Sequence, residues 1–413
     1  MDTVPFNLLM FTVDVVLIAG LILWRTRSAP AAKDPELGLM QMEMLGFNGL
    51  APKKTKSDPR VRSRMFILVW FVAALIDLVM IKGVSLLFRF HYGQNIVEGL
   101  CWHFGPFLVI SGVILFVRKN RVTACLSILC GLMLFLLGVD CMLYEPYALT
   151  VEHYKIVSDK VDRPVRIVFV ADTQTDNIGP YELRVFKTMK DQNADLVILG
   201  GDYLQCYGSS VKNMPSLPAG FRNALETTGF DPSLGAYAIY GNNENGEEEF
   251  QKMFKDTGFE AISRTKTIDL GPIMFTTLSL SDSALSKWST GTKPKVFLKT
   301  DEQKKKFHVM AGHIPAFATV KTDADLLLAG HTHGGQIHIP FYGPILTGME
   351  KTEGFQRRWA SGMTELPEPN KGAHLLVTRG SGMERGWAPE VRLFCKPEVS
   401  VIDIIPHSAN AQH

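Results

Sequence analysis

His331 and His333 stand one residue apart in "LLLAGHTHGGQ" (326–336), after an aliphatic run and before two glycines. Imidazole nitrogens are common ligands for divalent transition metals and common proton carriers near neutral pH. An H-x-H pair alone fits two hydrogen-bonded histidines in a loop equally well. The question turns on whether other ligand-type side chains stand at other strand ends.

They do. The β-branched run 166–171 stops at Asp172, and 196–199 runs into Gly200, Gly201 and Asp202. The run 236–240 ends in Gly241, Asn242, Asn243 and Glu244, and 307–311 leads to Gly312 and His313. Helical periodicity over 180–191 and the acidic helix start at Glu247 to Glu249 separate these runs. Strand and helix in alternation define an α/β layered fold. Uninterrupted apolar strands indicate a sheet covered on both faces. Short strands over 260–280, with a turn at Gly271–Pro272, and runs at 374–378, 391–395 and 399–405 complete the strand set. Asp and Asn also cap helices and make turns. Five ligand-type positions in succession, mostly flanked by glycine, exceed what capping requires. The carboxyl edge of an α/β sheet is where ligands bind.

These runs must be carried by a larger architecture. The 413 residues point to two units, and their net charge of +2 provides no global field for nucleic acid. Six cysteines include no C-x-x-C pair, and a Cys206–Cys395 disulfide is left open. Four apolar segments, 5–24, 65–88, 99–117 and 122–143, each approach the ~20 residues that span a bilayer. The first lacks a basic leader region, so it reads as a retained anchor. Nine Lys and Arg in 25–64, and Arg118, Lys119 and Arg121 after the third segment, stand against Arg89 alone in the remaining loop. Basic loops face the cytoplasm, which predicts a multi-pass cell-membrane protein with its second domain on the outer side. Asp14 and Asp77 fall inside predicted spans, where a carboxylate is either functional or a polar helix–helix contact. Lys82 is the candidate partner of Asp77.

The ordered motifs "VADTQ", "GGDYLQ", "GNNE", "AGHIP" and "AGHTHGGQ" resemble the calcineurin-like metallophosphoesterases. The tail "VTRGSG … VRLFCKPEVSVIDI" resembles the membrane-associated bacterial branch of that superfamily. The resemblance covers about 160–405 and implies a double-sheet β-sandwich flanked by helices. The expected organisation is α/β, with a four-helix transmembrane domain (1–147) followed by a phosphoesterase domain (148–413). Asp172 would then bind a first metal ion, Asp202 would bridge two, and Asn242, His313 and His331 would serve the second. His333 would return to the first. Two such ions hold phosphoryl oxygens, activate water and absorb charge during in-line displacement. Mixed N and O donors suit Mn²⁺ foremost, with Mg²⁺, Fe²⁺ or Zn²⁺ as alternatives.

Two positions depart from the family pattern. Its D-x-H is Asp172-Thr173-Gln174 here, leaving Gln174 as a weak oxygen ligand; Asp176 is a nearby carboxylate. Its G-N-H is Gly241-Asn242-Asn243, and Asn cannot serve as a general acid near neutral pH. Asn243, Asp202 and His331 are the candidate catalytic residues. Three readings stay open: an active enzyme on an oxygen-preferring metal, a slow one-metal enzyme, or a metal-binding sensor or scaffold. The expected substrate is a phosphomonoester, phosphodiester or pyrophosphate of a lipid or cell-envelope precursor. Lys293, Lys295, Lys299 and Lys304 to Lys306 form either a solvated loop or a contact to anionic headgroups. Arg357, Arg358 and Arg379 are candidate phosphate binders. The stretches 206–235 and 341–372 are candidate substrate-shaping loops, and His308 and His338 read as ordinary strand residues.

Overall fold

A computed structural model describes residues 4–28, 59–87, 92–206, 214, 216–285, 300–386 and 388–407. Most of the basic 25–64 connection, Lys293, Lys295, Lys299 and 207–213 lie outside the described residues. The chain divides into two compact units, Met1–Val139 and Asp140–His413.

The first unit contains α1 (Val4–Ser28), α2 (Pro59–Leu87), α3 (Tyr92–Glu98), α4 (Gly105–Val117) and α5 (Arg121–Gly138). A π-helical stretch, Gly99–Phe104, joins α3 to α4 without a break. Among the described residues, four helical stretches are long and apolar enough to cross a membrane. Helices α4 and α5 meet backbone to backbone, since a Cβ on Gly131 would lie 2.5 Å from the Gly105 carbonyl. Small residues permit such close helix contacts in apolar surroundings. The polar groups inside tie helices together. Asp14 lies 3.0 Å from His103 Nδ1, whose Nε2 lies 2.9 Å from Asn7 Oδ1. Asp77 is fully buried whereas Lys82 is exposed, so their expected pairing does not form.

The second unit holds two six-stranded sheets. Strands β1 (Thr150–Val157), β2 (Val165–Val170), β3 (Leu196–Leu199), β4 (Ala236–Ile239), β5 (Phe259–Ile262) and β14 (Glu398–Ile405) form the first, in the order β1-β14-β2-β3-β4-β5. The second follows the order β12-β13-β9-β8-β7-β6. Its strands are β6 (Lys266–Asp269), β7 (Ile273–Thr277), β8 (Phe307–Ala311), β9 (Leu326–Ala329), β12 (Gly362–Glu365) and β13 (His374–Val377). Strands β2 to β5 run parallel, as do β7, β8, β9 and β13.

The central strands are largely apolar on both faces because both faces are covered. Ile167, Phe169 and Ile198 meet Phe275, Val309 and Leu328 between the sheets. The alternate residues Val168, Val170, Val197 and Leu199 pack under three helices, α6 (Pro180–Asp191), α7 (Ser216–Thr228) and α8 (Glu247–Phe254), through Phe186, Phe221 and Phe254. Met310, Leu327 and Leu375 cover the other outer face with Phe317 and Trp359. The result is the double-sheet sandwich flanked by helices.

Two expectations need correction. Residues 391–395 form no strand; Arg392 is fully buried and Phe394 adopts φ 53°. The Glu145 carboxylate accepts from the amides of Phe394 and Cys395, which takes those donors out of any ladder. The expected loop 206–235 contains α7. All six cysteines are free, Cys206 and Cys395 among them.

Candidate metal centre

Five parallel strands deliver the candidate ligands at their carboxyl ends: β2 brings Asp172, β3 Asp202, β4 Asn242, β8 His313, and β9 His331 and His333. The turns are tight. Asp172 (φ 54°), Gln174 (φ 32°), Asp202 (φ 57°), His331 (φ 69°) and His333 (φ 50°) all occupy the left-handed region. Each such non-glycine residue costs of order 1–3 kcal/mol, and clusters of them occur where function fixes the backbone. Glycine is required where loops cross: a Cβ on Gly241 would sit 2.3 Å from Asp202 Oδ1, and one on Gly330 2.8 Å from Asp172 Oδ2.

The side chains converge. Ligand atoms of Asp202, His313 and His331 lie within 4.8 Å of one another. His313 Nε2 is 3.1 Å from Asn242 Oδ1 and 3.3 Å from Asp202 Oδ2, while its Nδ1 lies 2.8 Å from the Gly200 carbonyl. That carbonyl holds the Nδ1 proton, so Nε2 is the nitrogen that faces the site. Asp172 accepts from the His331 amide at 2.9 Å and is fully buried. The rings of His313 and His331 meet edge to face, 5.2 Å between centroids. Asn243 turns inward onto Asp202, its amide N and Nδ2 each donating at 2.9 Å. It clamps the carboxylate and carries no proton to give.

The electrostatics fit a cation. Without one, carboxylates crowd the centre and protons take the cation's place. Burial works against a charged His313, yet Asp202 and Asp172 lift its pKa to about 10. Burial drives Asp172 up to about 7 against the pull of His313. Burial and then the charge of Asp202 raise Glu244 to about 8. Asp202 resists the same burial and stays at about 2, held by His313 and the Asn243 amide. Burial, then the His313 charge, lowers His331 to about 4; burial and Arg392 push His333 well below its ordinary value. Both histidines are therefore neutral at pH 7, with lone pairs free to bind metal. Both ring nitrogens of His333 and Gln174 Oε1 are buried without a hydrogen-bond partner. Buried polar atoms usually find partners, and these three belong to candidate ligands at the strand ends, where a bound ion would use them.

A pH dependence follows. Metal binds the deprotonated forms of Asp172 and His313, whose metal-free pKa values are about 7 and about 10. Apparent affinity therefore rises with pH across the neutral and mildly alkaline range, as these groups lose their protons. Loading near pH 7 therefore releases protons, measurable by calorimetry in buffers of different ionisation enthalpy. Uptake of metal without proton release would contradict this charge distribution.

Other candidates lie elsewhere. Arg379 pairs with Glu152 at 2.6 Å and Glu398 at 2.9 Å, and Arg358 donates to Gln356. Asp176 is committed to Arg385 at 3.0 Å, so it supplies nothing to Gln174. His308 bonds Thr276 and Asp323, and His338 bonds the Gly334 carbonyl. Glu384 and Arg392 are the residues that strand-end reasoning missed. Glu384 Oε2 accepts from Gln174 Nε2 at 3.2 Å. Arg392 gathers the carbonyls of Arg379, Gly380, Gly382 and Cys395. Glu384 lies in the polar loop following "TRG", which no periodicity reports, and Arg392 in an apolar-rich run that reads as a strand.

Residues 165–335 match the family described as calcineurin-like phosphoesterase. An uncharacterized metallophosphoesterase of Bacillus subtilis (strain 168), YkuE, is 27% identical over 236 residues, covering 53% of this chain and 71% of its own. A second from that strain, YkoQ, is 28% identical over 190 residues, covering 43% of this chain and 64% of its own. Phosphodiesterase YaeI of Escherichia coli (strain K12) is 25% identical over 259 residues, covering 59% and 83%. The matched region is that of a calcineurin-like metallophosphoesterase domain, and the ligand-bearing strand ends from Asp172 to His333 lie inside it.

Proposed function

We propose that the second unit is a dinuclear metal-dependent phosphoesterase acting on a phosphodiester, phosphomonoester or pyrophosphate. One observation carries this reading: ligand-type side chains from five strand ends converge on a buried point where His333 and Gln174 hold unpartnered lone pairs. Asp172, Gln174 and His333 would hold one divalent ion, and Asn242, His313 and His331 the other, with Asp202 between them. Bound there, divalent ions supply Lewis-acid charge to phosphoryl oxygens and lower the pKa of water. The chain's own residues set the geometry. The Gly200 carbonyl orients His313, the His331 amide holds Asp172, and Asn243 fixes Asp202. With an amide at position 243, protonation of the leaving group falls to solvent, which favours substrates with good leaving groups. The phosphodiesterase name of the Escherichia coli relative supports a diester.

A lipid-borne substrate is the second half of the proposal. Four bilayer-length apolar helices share the chain. The hairpin of β10 (His338–Ile339) and β11 (Gly343–Pro344) follows directly on the His333 loop and exposes Phe341, Tyr342, Ile345 and Leu346. The Arg357 guanidinium lies 4.5 Å over the Tyr342 ring. Aromatic and aliphatic tips beside a basic group suit a membrane interface, and the basic loops support the outer side.

The test is to strip the detergent-solubilised protein, reload it with Mn²⁺, Mg²⁺, Fe²⁺ or Zn²⁺, and assay aryl phosphodiesters and monoesters. Metal-dependent turnover is expected, with Mn²⁺ the best ion. Bound metal without turnover on aryl or lipid-linked phosphates would favour the sensor or scaffold reading, to which the missing acid at Asn243 already points.

A further inference from the structure

We propose that Glu384 is a positioning residue that makes the Gln174 amide a ligand for the first metal ion; this rests on the dinuclear reading above. Gln174 stands where the family's D-x-H has an imidazole. A ring nitrogen offers its lone pair in one direction, whereas a terminal amide rotates in a broad, roughly two-fold well. It presents either an oxygen that binds a cation or an NH₂ that repels one. Something must choose between them.

Two carboxylates choose. Gln174 Nε2 donates to Asp202 Oδ2 at 3.0 Å and to Glu384 Oε2 at 3.2 Å, using both of its protons. With the amide turned over, its oxygen would face both carboxylates with no proton between them. The observed orientation leaves Oε1 buried and without a donor, in a residue 1% exposed. Donation to two anionic acceptors also raises electron density on that oxygen, as carboxylates do for the histidine ligands of metal sites.

Glu384 is itself held. Its Oε1 accepts from Gln205 Nε2 at 2.8 Å, and its amide donates to Gln336 Oε1 at 2.7 Å. Gln205 Oε1 accepts from the Arg385 amide at 2.8 Å, and Arg385 Nε donates to the Gln174 carbonyl at 2.8 Å. The ring Gln174–Glu384–Gln205–Arg385 closes on itself. Gln336 follows the His333-Gly334-Gly335 turn, so the same belt is anchored to a second ligand loop.

The experiment is a Mn²⁺ titration of the full-length protein in detergent, followed by electron paramagnetic resonance and calorimetry, with thermal melts to verify folding. The wild-type protein should take up two ions. Glu384→Ala should weaken one of them about 10–100-fold and leave the other unchanged. Glu384→Gln, which keeps an acceptor oxygen, should recover most of that loss. Adding Glu384→Ala to Gln174→Ala should cost nothing further, because Glu384 acts through the amide. Equal binding by wild type and Glu384→Ala overturns the inference, as does an undiminished loss in the Gln174→Ala background. A wild-type protein that binds no metal overturns the dinuclear reading and this inference with it, and shows this before any variant is made.

Discussion

Asp202→Ala is expected to lower kcat/KM on any accepted phosphoester by at least about 10³-fold, since a metal pair contributes several kcal/mol of transition-state stabilisation and 1.36 kcal/mol is a factor of ten. The carboxylate stands where three side chains meet. Its Oδ2 faces His313 Nε2 at 3.3 Å, Gln174 Nε2 at 3.0 Å and Asn243 Nδ2 at 2.9 Å. Removing it deprives His313 of the charge that lifts its pKa and leaves two amides with unpaired donors. Asp202→Asn separates these effects, because it keeps the side chain's shape and removes only the charge. Both variants should lose activity and metal capacity together. Activity retained within tenfold in either would mean that the chemistry does not use this carboxylate.

Arg392→Met is the second large effect, and it falls on stability. The guanidinium is fully buried and donates to four carbonyls, Gly382 and Arg379 among them at 2.5 and 2.7 Å. Methionine fills similar volume and offers no donor, so those carbonyls are stranded in a dry interior. Removing one partner of a buried charged network costs roughly 3–5 kcal/mol. For a unit of this size that lowers Tm by on the order of 10 °C. The loop it organises also supports the metal centre: the Gly382 amide donates to the Asp172 carbonyl at 2.8 Å and the Ser381 amide to the Ala171 carbonyl at 3.1 Å. Metal affinity should therefore fall in the same variant. A melting temperature within 2–3 °C of wild type, roughly 1 kcal/mol or less on this scale, would contradict this account of the loop.

How much of this was legible in the residues depended on distance along the chain. Asp172, Asp202, Asn242, His313 and His331 follow their own strands by a few positions, so apolar runs ending in a ligand type reveal them directly. Gly241 and Gly330 are legible for the same reason, since each precedes a ligand in its own turn. The sheets' double burial was visible in the runs 196–199 and 326–329, which contain no polar residue. Glu384 was not legible, because its meeting with Gln174 is made only by tertiary folding across 210 positions. Arg392 was misread for a related reason. A short apolar-rich run around it suggests a strand, but a buried guanidinium gathers loop carbonyls and Glu145 takes the amides of Phe394 and Cys395, so only an isolated bridge from Leu393 to Ile337 remains. Arg379 shows the converse: its type suits phosphate, yet Glu152 and Glu398 already occupy it. Asp176 was close to Gln174 in sequence and turned instead to Arg385.

The central claim is that these side chains hold two divalent ions across Asp202. The measurement that tests it most directly is metal content by elemental analysis of Mn²⁺-reloaded, gel-filtered protein at pH 8, with the resonance spectrum of the same sample. Two Mn²⁺ per chain with a spin-coupled signal is the predicted result, because a bridging carboxylate couples the pair. One isolated Mn²⁺, or none, would contradict it.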